Sequence, residues 1–162
     1  MQQESRPHVR ARPGQARGEP IELGPLATST AFHLELASTA ALHAFARAVA
    51  GTDVRPGRAA ILLLIGRNPG ISQTALSRAG GRDKSTLTPA LNDLARRGLI
   101  RRTRTLHDRR SYQLTLTAAG EAMVRRLTEC AARYDERLER IIGARDKRRL
   151  LQILRTITAA LA

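Results

Sequence analysis

The chain is short of the residue types from which several kinds of site are built. It has one cysteine, Cys130, no tryptophan, two tyrosines and two phenylalanines in 162 residues. A single thiol excludes an internal disulfide and any cysteine-based zinc cluster. With Tyr112 nearly alone, there is no set of rings on which the bases of an RNA strand could stack. The four histidines, His8, His33, His43 and His107, are scattered, and His33 and His43 lie out of register on one helical segment. No glycine-rich phosphate loop, metal-ligand spacing or nucleophile elbow accompanies them, so neither catalysis nor a cofactor or metal is expected. The longest uncharged apolar run, "AAILLLIG", is far shorter than the ~20 residues of a membrane span. "MQQESRPHVR" has no apolar stretch of signal-peptide type. A soluble protein of the cytoplasm is expected, with no membrane partner.

Acidic residues are also scarce. Fourteen Asp and Glu face 28 Lys and Arg, for a formal net charge of +14. Such an excess implies a polyanionic partner, nucleic acid first. The charge is not spread evenly: ten cations against three acids fall between Arg78 and Arg110, a net +7 in about a fifth of the chain. What apolar material there is consists of Leu, Ile, Val and Ala, which favours helices over a β-sandwich.

Along the chain, residues 1–25 carry four prolines and scattered arginines with almost no large apolar groups, a composition expected to form a disordered basic tail. Residues 26–50 hold a helix with apolar positions Ala31, Leu34, Ala41, Leu42, Phe45 and Val49, broken by "GTDVRPG". Residues 51–117 form the central lobe. Pro56 suits the first turn of a short helix, apolar nearly all round and hence buried, that ends at Asn68-Pro69-Gly70. Ser72 caps "SQTALSRA", with Ile71, Ala75, Leu76 and Ala79 inward. After Gly80-Gly81, Asp83 caps "DKSTLTPALNDLARR", with Leu87, Ala90, Leu91 and Leu94 in an i, i+3, i+4, i+7 stripe and Gly98 just past its end. Two short helices joined by a glycine turn spell a helix-turn-helix. "LIRRTRT" and "SYQLTLT" then read as a two-stranded wing. Residues 118–162 hold a long helix opened by Thr117 and, after Gly143, a second. The fold class expected is mainly helical with a small β wing.

The face of the second short helix opposite its leucines carries Ser85, Thr88, Pro89, Asn92 and Arg96. Asn can bond adenine bidentately, while Ser and Thr reach base edges or phosphates. A merely solvated face would carry more Glu and Lys; this one is uncharged in the middle and ringed by cations. Pro89 lies beyond the first turn, where it removes an intrahelical bond, so an irregular first turn tightened by Ser85 and Thr86, or a slight bend, is expected. At the wing tip, "HDRR", an arginine could enter the minor groove. Asp108 is placed to orient Arg109 or Arg110 by a two-pronged bond.

The run "ISQTALSRAGGRDKSTLTPALNDLARRGLIRR", the Asp-x-Arg of "DRRSYQLTLT" and "LTAAG" opening a long helix resemble the MarR family of winged helix-turn-helix bacterial transcriptional regulators, over about residues 28–162. The resemblance implies a homodimer with interlocking N- and C-terminal helices, bound to a pseudo-palindromic double-stranded DNA operator. It implies a recognition helix in the major groove, with Lys84, Ser85, Thr86, Thr88, Pro89, Asn92 and Arg96 as candidate contacts. Ser72, Gln73 and Thr74 of the preceding helix would support it, and Arg104, Asp108, Arg109 and Arg110 would serve the wing in the minor groove. Many members carry Arg where this chain has Pro89. Repression is the family's commoner mode, with release by a small-molecule effector; His33 and His43 are the residues assigned to an effector pocket. The apolar seam agrees independently with dimerisation: Leu34, Met123, Leu127, Tyr134, Leu138, Ile141, Leu150, Leu154, Ile157 and Leu161 exceed what one small lobe can cover. Cys130, on that seam, reads as a small buried side chain rather than a redox sensor. The competing reading is a basic architectural protein that binds nucleic acid without sequence preference.

Overall fold

A computed structural model describes residues 21–81, 83–104 and 112–161; the sequence-predicted tail up to residue 20 and the wing-tip residues lie outside these. The described chain is helical apart from one small sheet. Its elements are α1 (Thr30–Ala48), α2 (Pro56–Arg67), β1 (Ile71–Ser72), α3 (Gln73–Gly80), α4 (Lys84–Arg96), β2 (Ile100–Arg104), β3 (Tyr112–Leu116), α5 (Ala118–Ile142) and α6 (Ala144–Leu161). Short 3-10 turns at Gly24–Thr28 and Ala50–Thr52 flank α1. The chain divides after Ala37 into two compact units. In the first, Ser29 Oγ accepts from the Phe32 amide (3.4 Å) and His33 Nε2 lies 2.9 Å from the Ala27 carbonyl oxygen, closing the start of α1 locally.

The second unit is built around α2. Pro56 stands in its first turn, where no amide partner is lost. Ala59, Ile61, Leu62 and Ile65 are buried, as the all-round apolar pattern requires. Leu76 from α3, Leu87, Leu91 and Leu94 from α4, Leu114 from β3 and Leu127 from α5 complete an aliphatic core. Ser72 Oγ caps α3 by accepting from the Ala75 amide (3.1 Å). α3 differs from expectation in its inward face: Leu76 is buried, but Ala75 and Ala79 are exposed. Two turns offer only a narrow stripe, and Ile71 belongs to the sheet.

The sheet has three strands, not two, in the order β1-β3-β2, all antiparallel. Ile71 and Arg102 both pair with Leu114, and Arg104 pairs with Tyr112. A two-residue strand is too short to display a period of two, so β1 leaves no periodic trace in the sequence.

α4 ends in a Schellman motif: the Leu99 amide donates to Leu94 O (3.0 Å) and the Gly98 amide to Ala95 O (2.9 Å). Gly98 takes φ +67°, which its missing side chain permits. The chain then enters β2 at once. α5 starts hard against this corner. Thr117 Oγ1 accepts from the Gly120 amide (3.1 Å) and donates to Gly98 O (2.6 Å). A Cβ on Gly120 would stand 2.0 Å from Leu99 O, so no other residue fits there without displacing backbone. Farther along, Tyr134 donates its hydroxyl to Ala41 O (2.9 Å) and stacks at a tilt on Phe45. Where α6 turns back, Lys147 Nζ donates to Asp135 (2.5 Å) and Glu139 (2.8 Å) of α5. These carboxylates, Asp135 first, hold its ammonium above the usual lysine value. Among the described residues no helix is long and apolar enough to cross a membrane.

Candidate nucleic-acid interface

α4 is divided lengthwise. Leu87, Leu91 and Leu94 are fully buried, while Lys84, Ser85, Thr86, Thr88, Pro89, Asn92 and Arg96 are exposed on the other side. Asp83 fixes the helix start: its Oδ1 accepts from the Thr86 amide (2.7 Å) and from Ser85 Oγ (2.7 Å). The Thr86 amide, and then the Ser85 hydroxyl, hold this carboxyl below the usual aspartate value. The helix runs through Pro89 without a break in its assignment. Thr88 donates its hydroxyl to Lys84 O (2.8 Å), tightening the turn that precedes the proline. Gln73 of α3 donates to Thr88 Oγ1 (2.9 Å), so the two helices of the pair are pinned on their exposed side. Ser72 is engaged as a cap, and Thr74 is exposed. Asn92 has no hydrogen-bond partner among the described residues, which leaves its amide free to bond outward.

Asp93 anchors α4 from behind, receiving Arg58 Nε of α2 (3.1 Å) and Arg96 Nη2 (2.6 Å). Arg97, the last residue before Gly98, donates to the Asp53 carbonyl (2.9 Å) and carboxylate (3.1 Å). Asp53 sits at φ +55° at the end of the turn that joins α1 to α2. Arg126 of α5 donates to Gly51 O (2.6 Å) in the same turn. This elbow, residues 50–53, is therefore held by a guanidinium just past the end of α4 and by another from α5. Sequence inspection does not reveal these anchors, because Arg97 and Asp53 are 44 positions apart and neither interrupts a periodic pattern.

At the wing base, Arg104 Nε donates to Tyr112 OH (3.3 Å) and its guanidinium carbon lies 5.9 Å from that ring's centroid. The cross-strand register makes this pairing. Arg102, which shares its sheet face with Leu114 and Ile71, keeps Nε and Nη2 buried with no hydrogen-bond partner among the described residues. His107, Asp108, Arg109 and Arg110 lie outside the described residues.

The remaining sequence-predicted residues separate. Leu127 is fully buried in the chain's own core and Met123 packs against it, so Leu127 has no surface to offer a partner. Cys130 is likewise buried. Tyr134 and Leu138 are half-buried, as are Leu34 and Ile157. Ile141, Leu150, Leu154 and Leu161 are exposed, as are Leu151 and Ile153. His33 is engaged with Ala27 and His43 is exposed. Neither lines either of two cavities beside α5. One, about 540 Å³, lies between α2 and α5 and is lined by Leu63, Gly66, Arg67, Val124, Thr128 and Ala131. The other, about 360 Å³, lies between the end of α1 and α5. Among the described residues no group of three or more His, Cys, Asp or Glu is arranged to hold a metal ion.

A family model described as "MarR family" matches residues 52–111. A Thauera aromatica protein named for regulation of the hcr operon is 31% identical over 149 residues, covering 91% of this chain and 90% of its own. The Escherichia coli transcriptional regulator HosA is 30% identical over 103 residues, 64% of this chain and 76% of its own. Among solved structures, the transcriptional repressor CouR bound to a 23-mer DNA duplex superposes with a TM-score of 0.80 at 32% identity, covering 86% of this chain and 99% of that one. CouR bound to p-coumaroyl-CoA gives a TM-score of 0.78 at 31% identity, covering 86% and 98%.

Proposed function

From the premise that this chain belongs to the MarR family of DNA-binding transcriptional regulators, and so acts by binding rather than by catalysis, we propose that it is a repressor that binds an inverted-repeat operator as a homodimer. The observation that carries the reading is the lengthwise division of α4. Three buried leucines fix the helix, and Ser85, Thr88 and Asn92 face outward with no carboxylate among them. In the major groove these side chains read base edges, with Asn92 the adenine reader and Thr88 and Pro89 in reach of thymine methyls. Lys84 and Arg96 border that face and hold phosphates, while Ser72, Gln73 and Thr74 set the approach of the preceding helix. The wing enters the minor groove through Arg109 and Arg110, oriented by Asp108, with Arg104 at its base.

Dimerisation is supported by α6, whose Leu150, Leu151, Ile153, Leu154 and Leu161 are exposed in the single chain. Large apolar side chains so grouped on one element mark an association surface, and a two-fold would set two recognition helices about one DNA turn apart, ~34 Å. Tyr134, Leu138, Ile141 and Ile157 are further candidate contacts of that dimer, as is Leu34 on α1. A small-molecule effector is part of the reading. The apolar cleft between α2 and α5, with Arg67 at its edge, suits an aromatic body with one anionic end; the relative CouR has been solved with an aromatic acyl thioester. The site of action is the cytoplasm, at the nucleoid.

The test is selection of bound DNA from a random pool. Recovery of a discrete inverted repeat that random DNA and RNA fail to displace supports the reading. Equal affinity for all three would overturn it in favour of an architectural protein.

A further inference from the structure

The cavity between α1 and α5 differs in kind from the α2–α5 cleft. Arg47 from the last turn of α1 and Arg133 and Arg137 from successive turns of α5 line it together, with Ala44, Ala48 and Tyr134 between them. None of the three guanidiniums has a carboxylate within 4 Å among the described residues, although Arg58, Arg96 and Arg97 each have one. Arg133 has only the Cys130 sulfur near its Nη2, at 3.4 Å. Three like charges around one concavity repel each other, and an anion seated among them removes that repulsion. One carboxylate would neutralise a third of the charge. A phosphate or diphosphate carries two or more charges and presents the oxygens that guanidinium forks hold bidentately. At about 360 Å³ the cavity is within the range of small-ligand sites, and its Ala44 and Ala48 walls and Tyr134 ring can pack on an organic body.

We infer that Arg47, Arg133 and Arg137 form a binding site for the phosphate groups of a phosphorylated organic ligand, a coenzyme A thioester or a nucleotide. The inference rests on the regulator reading only for its consequence. Ala48 leads directly into the elbow that Arg97, the residue that caps the end of α4, and Arg126 of α5 both hold. A ligand that draws Arg47 toward Arg133 and Arg137 moves the end of α1 against α5. That displaces the elbow and with it the C-terminal anchor of the recognition helix.

The experiment is titration calorimetry of the full chain with coenzyme A, p-coumaroyl-CoA, inorganic pyrophosphate and p-coumarate. It compares the wild type, the double variant Arg133→Gln/Arg137→Gln, and Arg148→Gln/Arg155→Gln on α6, a control that removes the same two charges elsewhere. The expected result is that the phosphate-bearing probes bind the wild type and the α6 control alike and bind the Arg133→Gln/Arg137→Gln variant at least tenfold more weakly, while any binding of p-coumarate is the same in all three. Equal affinity of the phosphate-bearing probes for wild type and Arg133→Gln/Arg137→Gln, or no binding of any of them to the wild type, overturns the site. Circular dichroism establishes that Arg133→Gln/Arg137→Gln is folded, and Arg47→Gln alone gives a second, milder reading in the same direction. If selected DNA is released equally by a probe from wild type and Arg133→Gln/Arg137→Gln, the site falls and the regulator reading stands. If the wild type selects no DNA sequence, the regulator reading falls and calorimetry still decides the site.

Discussion

At Asn92 the exposed amide has no hydrogen-bond partner among the described residues, so in the proposed interface both its donor and its acceptor are available. Asn92→Ala is expected to relax base preference at one operator position by roughly 1–3 kcal/mol, read by repeating the selection with the variant. Arg110→Ala, a wing change, is expected to weaken operator binding and to reduce its salt dependence. Arg102 poses the opposite problem. Its Nε and Nη2 are buried without partners, and burying polar groups uncompensated costs roughly 1–3 kcal/mol in proteins. Arg102→Leu is therefore expected to raise the thermal midpoint, and a fall would show that the guanidinium has a stabilising role in the native lobe. Gly120→Ala should do the reverse. Its methyl would meet Leu99 O at 2.0 Å, and forced overpacking of this kind costs roughly 1–3 kcal/mol or more, measurable as a lower denaturant midpoint.

At the scale of the element, α4 depends on its cap. Asp83 has a lowered carboxyl value in the folded chain, so its contribution is complete above the ordinary aspartate value and is lost as pH falls through the lowered one. Faster exchange of the Thr86 amide is expected in that acid range. Asp83→Asn, which caps without titrating, should remove the pH dependence; the same dependence in the variant would place its origin elsewhere. The cap was legible in the sequence because capping is local: Ser72, Asp83 and Thr117 each serve an amide three residues on. The leucine stripe of α4 and the glycine that ends it were legible for the same reason. β1 was not, since its two residues are strand only because β3 lies beside them. Leu127 fits the seam pattern of α5 but is consumed by the core. A period identifies an apolar face and cannot say whether the neighbour on that face belongs to the same chain. The anchors of the elbow and the arginine cavity were out of reach altogether, because each joins residues from helices distant in sequence.

At the scale of the whole molecule, the proposed dimer would tie association through the exposed leucines of α6 to DNA binding. The double variant Leu150→Glu/Leu154→Glu is expected to sediment as a monomer and to lose at least tenfold in affinity for the full inverted repeat while retaining a folded lobe. A dimer in that variant would remove α6 from the interface. The lobe itself leaves little freedom for how such a pair could respond to a ligand. Where α5 begins, Gly120 rests on the Leu99 carbonyl with no room for a methyl group, and Thr117 bonds Gly98 across the same joint. That contact couples the reading head to the long helix behind it, so a tilt of α5 is passed on to the lobe. In the proposed dimer such a tilt would change the spacing of the two recognition helices along the duplex by rotation.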